Sequence, residues 1–336
     1  MKRILIIAMV IIGLLGVAIY VTNKGGNSTL NTQLSDFAVE DTAAVSKIFL
    51  ADKNNNTITL TKTESGWMVN ETYEARKEAV TVLLETLKRI KVRAPVSRSS
   101  FENIVKGIAG NSVKVEIYKS SNTPDKVFYV GGPNPDHTGS YMLMEGSNVP
   151  FLMHIEGFRG YLTPRFFTNL NEWRNNAIFA LNPNQINSIE LDYPLNPDLS
   201  WILKKDEGGF FTLWEKQNKQ QVSNIDSAYL ARYIKRYETV YYEGIEETKP
   251  KSFIDSIKAS TPVQVYKVTD VNGKVNEVKV YPKPAAPGAE DYDGNSIDYD
   301  LDRIYGWVNE NDFTVIQYII FDPLKKTVED FKKSED

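Results

Sequence analysis

The residues in this chain whose types could do chemistry are two histidines and one acidic run. None of the 336 residues is a cysteine. A thiol nucleophile, an iron–sulfur cluster, a cysteine-ligated zinc and a lipid-modified cysteine are therefore excluded. His137 lies in Gly131-Gly-Pro-Asn-Pro-Asp-His-Thr-Gly139. Backbone amides of such a loop could cradle an anion, with the imidazole as acid or base. Gly, Pro, Asn and Asp are also what a long hairpin turn requires, and a turn between two strands is the expectation. His154 sits in the alternating apolar run Phe151 to Ile155 and reads as a structural side chain. The two histidines are too far apart in sequence for a local metal motif.

The sharpest candidate is Asp291-Tyr-Asp-Gly-Asn-Ser-Ile-Asp-Tyr-Asp-Leu-Asp302. Asp291, Asp293 and Asn295 offer hard oxygens, and Asp302 follows eleven residues after the first, which is the spacing of a calcium loop. The match is partial. Glycine stands at loop position four in place of six, Asp298 takes the usual apolar position, and the last ligand is Asp rather than bidentate Glu. A solvated loop is the expectation and calcium the alternative. Trp201, Trp214, Tyr237, Tyr241 and Tyr242 could stack on sugar rings, but their spacing makes most of them core or half-buried residues. There is no G-x-S-x-G elbow, Walker A loop, G-x-G-x-x-G fingerprint or H-E-x-x-H pair. No catalytic residue and no cofactor is expected.

The elements that position these residues begin with an anchor. Lys2 and Arg3 precede Ile4 to Val21, eighteen residues without a charge. At ~1.5 Å per residue a helix of that length spans roughly 27 Å, close to the hydrocarbon core of a bilayer. Tyr20 falls at the interface end, and Asn23 to Asn27 reads as a flexible exit. Gly16-Val17-Ala18 offers a small-x-small cleavage site, but the apolar run continues past it, which favours an uncleaved anchor. The charge bias puts the N-terminus in the cytoplasm and the bulk of the chain in the periplasm, tethered to the inner membrane by one helix. The chain carries 39 basic and 43 acidic residues, and three of the basic ones flank the span. An acidic ectodomain argues against nucleic acid and anionic lipid as partners.

Beyond the anchor the chain states one plan twice. Val45 to Leu50, Thr57 to Lys62 and Gly66 to Val69 form a strand meander, followed by a helix on which Val80, Leu83, Leu84, Leu87 and Ile90 share a face. Phe101, Ile104, Val105 and Ile108 mark a second helix stopped by Gly110. Strands resume at Val113 to Ile117, Lys126 to Val130, Tyr141 to Met144 and Phe151 to Ile155. The second half repeats this order from Ile186 to Leu191, displaced by 141 positions, with Ser223 and Asp226 as a capping pair before its first helix. The mixed-charge tail from Lys325 to Asp336 reads as a frayed helix. The expectation is α+β: an N-terminal transmembrane helix (1–24), a linker (25–37), and two tandem related units (38–180 and 181–336). Each unit is an antiparallel sheet with helices packed on one face.

The stretch from Asp36-Phe-Ala-Val-Glu-Asp-Thr-Ala43 through Lys47-Ile-Phe-Leu-Ala-Asp52, then Gly66-Trp-Met-Val-Asn70, Tyr73, Ala75-Arg76 and Lys114-Val-Glu-Ile-Tyr118, resembles the family catalogued as domain of unknown function 4340, in its Bacteroidota-type form. The resemblance runs through nearly the whole ectodomain and is strongest from about residue 36 to 132. It implies a membrane-tethered envelope protein, sometimes encoded beside gliding-type ABC transporters, and it carries no functional residue. The expected function is a non-enzymatic binding or scaffold component of the envelope, accessory to an ABC-type permease. The alternative is a periplasmic module that binds a glycan, peptide or lipid at the cleft between the copies. Oligomeric state is left open.

Overall fold

The computed structural model describes residues 35–333. The N-terminal segment read as an anchor lies outside the described residues. The chain divides into two compact units between Asn175 and Asn176.

The first unit contains β1 (Lys47–Ala51), β2 (Thr57–Thr63), β3 (Gly66–Val69), β4 (Tyr73–Glu74), α1 (Lys77–Arg89), β5 (Ile90–Pro95), α2 (Phe101–Gly110), β6 (Val113–Tyr118), β7 (Lys126–Pro133), β8 (Ser140–Met144), β9 (Phe151–Ile155) and α3 (Leu170–Trp173). Its strands form one antiparallel sheet in the order β4-β3-β2-β1-β6-β7-β8-β9-β5. The second unit contains β10 (Ala177–Phe179), β11 (Ile186–Asp192), β12 (Trp201–Lys205), β13 (Phe211–Glu215), α4 (Ser227–Lys235), β14 (Val240–Tyr241), β15 (Gly244–Ile245), α5 (Lys251–Ala259), β16 (Gln264–Asp270), β17 (Val275–Pro284), β18 (Tyr299–Val308), β19 (Asp312–Gln317) and α6 (Tyr318–Phe321). Its main sheet runs β13-β12-β11-β16-β17-β18-β19-β15, and β10 pairs with β14 beside it. Apart from β4, the two main sheets have the same strand order and the same connections.

Period-two alternation explains the strands. In β1 and β2, Ile48, Leu50, Ile58 and Leu60 are fully buried on one face while their neighbours face outward. The corresponding strands of the second unit bury Ile189, Leu191 and Leu203 in the same way. Helix α1 lays Val80, Leu83 and Leu87 on this inner face. Helix α4 does the same with Leu230, Tyr233 and Ile234. Its N-terminus is capped by Asp226, whose Oδ1 accepts from the N–H groups of Ala228 and Tyr229, both at 2.9 Å.

Two expectations are corrected. The helices do not all pack on one face. In the second unit α5 places Phe253, Ile254 and Ile257 against Tyr281, Tyr305 and Phe313, an apolar patch on the outer face of the sheet. In the first unit α2 approaches the outer face, where a Cβ on Gly131 would lie 2.8 Å from Ile108 Cγ1. The outer faces carry apolar groups of their own, so each second helix has somewhere to bury its stripe. Nor is the described part of the tail a frayed helix. Val328–Phe331 forms a 3₁₀ turn, and Phe331, fully buried, meets Trp201 edge-on at 5.2 Å and Tyr233 at 5.0 Å. One aromatic residue outweighs the charges around it in deciding where the segment goes.

At the centre of the second sheet, Gly306 lies opposite Thr314. A Cβ there would sit 2.3 Å from Ile316 Cδ1, 3.1 Å from Thr314 Oγ1 and 3.2 Å from Val278 Cγ2. Gly306→Ala is expected to destabilise the chain by about 1–3 kcal/mol through overpacking. Gly132→Ala, where nothing lies within 4 Å, should leave the denaturation midpoint unchanged. Chemical denaturation followed by tryptophan fluorescence checks both.

Candidate functional site

The two loops that sequence singled out occupy the same place in the two units. The His137 loop joins β7 to β8, and the acidic run joins β17 to β18. In the first, Asn134 is buried and organises the turn. Its Oδ1 accepts from the N–H groups of Thr138 (2.8 Å) and Gly139 (3.0 Å), and its Nδ2 donates to Thr138 Oγ1 (3.1 Å). His137 takes a left-handed φ of 53°, and its ring lies 5.3 Å from that of Tyr161. Two loop amides that an anion would need are thus already committed to Asn134. His154 sits in β9, half-buried, with Nδ1 3.3 Å from the Lys91 carbonyl oxygen.

In the acidic loop the carboxylates are dispersed among local tasks. Asp291 Oδ1 accepts from the N–H groups of Asp293 (2.9 Å) and Asn295 (2.8 Å), and Asn295 Nδ2 donates to Oδ2 at 3.0 Å. The Asn295 side chain and these amides hold the Asp291 carboxyl below its ordinary value. Asp300 pairs with Lys283 at 2.6 Å and accepts from the N–H groups of Asp302 and Arg303, both at 2.9 Å. Among the described residues no group of three or more His, Asp or Glu side chains is placed to hold a metal ion. The loop does border an open cavity of about 310 Å3 lined by Ala286, Ala289, Tyr292, Ile297 and Leu301 together with Asp291, Asp300 and Asp302. Tyr292 at its rim is 97% exposed.

The aromatic platform for sugar rings does not assemble. Trp201, Tyr237 and Tyr242 are buried, Trp214 is half-buried, and Tyr241 is exposed. Trp201, with the neighbouring Tyr193 and Tyr233, is instead tied to the C-terminal segment. Lys326 carbonyl oxygen accepts from Trp201 Nε1 (2.7 Å) and Tyr193 Oη (2.9 Å), and Leu324 carbonyl oxygen accepts from Tyr233 Oη (2.9 Å). Tyr233 and Tyr237 hydroxyls are bonded at 2.8 Å.

One aromatic donor in this core has no partner. Tyr266, on β16, is fully buried, and its hydroxyl makes no hydrogen bond. Burial raises its pKa well above the ordinary phenol value, so it stays protonated and keeps its hydrogen to donate. Leaving such a group unpaired costs about 1–3 kcal/mol. Tyr266 lines a second cavity, of about 200 Å3, with Gln264, Val280, Ile304 and Phe321 in its wall and Asp322 and Lys325 among its exposed residues. Gln264 is itself only 9% exposed. Sequence reasoning passed over both residues because Val263-Gln-Val265 reads as an ordinary strand. A buried glutamine two places from a tyrosine on the inner face was the available signal.

The Lys283–Asp300 pair gives a pH test. Burial acts to raise Asp300, but the Lys283 hydrogen bond and two backbone amides outweigh it, and its carboxyl lies below the ordinary 3.8. A carboxyl lowered by folding contributes stability above its unfolded value and loses it as pH falls through the folded one. The thermal midpoint should therefore fall on acidification below about pH 4, and Asp300→Asn should flatten that part of the fall. Thermal melts across the acid range check it.

No curated protein matches the chain. A family model does, over residues 67–270, from β3 through β16, which takes in α1 to α5 and the β11–β16 pair of the second sheet. The chain belongs to that family, described as Domain of unknown function (DUF4340).

Proposed function

We propose that this chain is a membrane-tethered, extracytoplasmic binding protein of the cell envelope. It docks on a membrane partner, an ABC-type permease on the family resemblance, and does no covalent chemistry. The observation that carries the tether is the run of eighteen uncharged residues from Ile4 to Val21 behind Lys2 and Arg3. Among the described residues, which begin after that run, no helix is long and apolar enough to cross a membrane. The periplasmic side is then the place where both sheets would work.

Three partly buried carboxyls are engaged in the structure rather than poised as general acids. Burial acts to raise Glu116, Glu246 and Asp300, yet hydrogen bonds from Lys114, Thr248 and Lys283 outweigh it, and all three carboxyls lie below their ordinary values. A carboxylic general acid needs the opposite displacement. These groups hold ion pairs and amides, which is the work of a scaffold. The second reading, a module that binds a small ligand, is favoured by the cavity beside Tyr266.

The test is crosslinking in native membranes followed by affinity capture and mass spectrometry, with a control whose residues 1–24 are replaced by an unrelated anchor helix. A polytopic permease is expected in the capture. Its loss with the control anchor assigns the contact to the span, and its retention assigns it to the ectodomain. Absence of any permease from both captures overturns the docking, and ectodomain that external protease cannot reach in spheroplasts overturns the topology.

A further inference from the structure

The connection made by residues 134–139 in the first unit is made by residues 285–298 in the second. The short version shows that joining these two strands needs neither length nor charge, since Asn134 closes it and Asp136 is its one acid. The longer version is ordered by its own backbone. The Ala285 N–H donates to the Asp298 carbonyl oxygen (3.0 Å), the Ile297 N–H to that of Ala289 (3.1 Å) and the Asp291 N–H to that of Asn295 (2.8 Å). Tyr292 stands at the tip of this second hairpin, almost wholly exposed.

The hairpin borders the open cavity of about 310 Å3, which falls in the size range of ligand pockets. Ala285, Ala286, Ala289, Ile297 and Leu301 give it an apolar wall, with Tyr292 beside them. The apolar surface continues outside it. Arg303 faces Gln317 across β18–β19, so Leu301, two places before the one, and Ile319, two places after the other, stand at the same end of the sheet. Both are exposed, as is Tyr299. Acids share the cavity wall. Asp291 and Asp300 are committed to loop amides and Lys283, but among the described residues the carboxylates of Glu290 and Asp302 take no hydrogen bond or ion pair. The cations at this end of β17 and β18, Lys283 and Arg303, are already held by Asp300 (2.6 Å) and Glu243 (2.8 Å). An exposed apolar groove thus carries negative charge that the fold does not neutralise.

We infer that this groove docks an arginine side chain on a segment of a partner protein, its stem along Ala286, Ala289 and Leu301 and its guanidinium on Glu290 and Asp302 beside the Tyr292 ring. Charge complementarity selects this occupant. A guanidinium presents a fork of donors to carboxylates, stacks on an aromatic face and sits on a stem that covers apolar surface. A neutral group would cover the wall while drawing two carboxylates out of water unpaired. An anion is repelled, and an anionic lipid surface with it. A bare metal ion would make no use of the apolar wall. This deepens the docking reading by naming what the partner presents, and it rests on that reading only for the source of the arginine.

The test uses the full purified chain and N-acetyl-arginine N-methylamide, followed by saturation-transfer NMR at low salt. N-acetyl-citrulline N-methylamide keeps the shape and loses the charge, and methylguanidinium keeps the charge and loses the stem. The arginine probe should bind saturably at roughly millimolar concentration, more tightly than either, and about fivefold more tightly than the citrulline probe. Tyr292→Ala should weaken it about threefold, and the double variant Glu290→Gln with Asp302→Asn about fivefold. All three side chains are exposed, so the melting temperature should be unchanged or raised. Glu207→Gln, at an exposed acid between β12 and β13, controls for net charge and should bind as the parent does. No binding of the arginine probe, equal binding of the citrulline probe, undiminished binding to the groove variants, or an equal loss with Glu207→Gln overturns the groove. Failure of permease capture with the arginine probe still bound overturns the permease and leaves the groove standing. A permease captured undiminished by the groove variants overturns the groove as its contact and leaves the docking standing.

Discussion

Each unit depends on one long-range pairing, β1 with β6 in the first and β11 with β16 in the second. The partners Leu50 and Val115, and Leu191 and Tyr266, lie about 65 and 75 residues apart in sequence. Between them the chain leaves the sheet through a helix, lays a strand at the far edge beside β9 or β19, crosses a second helix and returns to the centre. Closing a loop of that length costs chain entropy, though the cost grows only slowly with length. Once closed, the pair splices two local meanders into one sheet and fixes the register of both. A one-residue slip of β1 along β6 would turn Ile48 and Leu50 outward while Val115 and Ile117 still faced inward. The two helices then pack on opposite faces because the splice leaves one before and one after the edge strand.

That constraint separates what was legible in the sequence from what was not. β1 and β2 carry clean alternation and read as strands from residue type alone, whereas in β7 and β17 the alternation breaks at Val130-Gly131 and Val280-Tyr281 and the strands run past it to Pro133 and Pro284. The edge strand β5 does not announce itself, because Lys91, Arg93 and Pro95 are the residues that protect an exposed edge and they erase the apolar signal. Its counterpart β15 has only two residues, too few for any period. The C-terminal segment was misread for a related reason. Its composition is that of solvent, and only the fold shows Phe331 seated against Trp201 while Leu324 and Lys326 lend their carbonyls to buried donors.

The loops that drew attention first turn out to be the same hairpin seen twice. In the first unit it is closed by Asn134; in the second it is longer, closed by Asp291 and tied to the sheet by Lys283 and Asp300. Asp291 serves turn geometry and Asp300 an ion pair, while the His137 ring lies against Tyr161. At the same end of these strands the first unit folds Leu162 and Phe166 over the sheet and the second folds Phe321 and Leu324, with a cavity left beside them.

The central claim is that the splice pairing closes each unit as one cooperative body, and native-state amide hydrogen exchange on the full chain tests it most directly. The amides of β1 and β6 should be the slowest of the first unit and those of β11 and β16 the slowest of the second, with the flanking meanders opening only together with them. If the β1–β3 or β11–β13 meander exchanges independently of its partner strands, the pairing is not the constraint that organises the unit, and the account of both sheets fails.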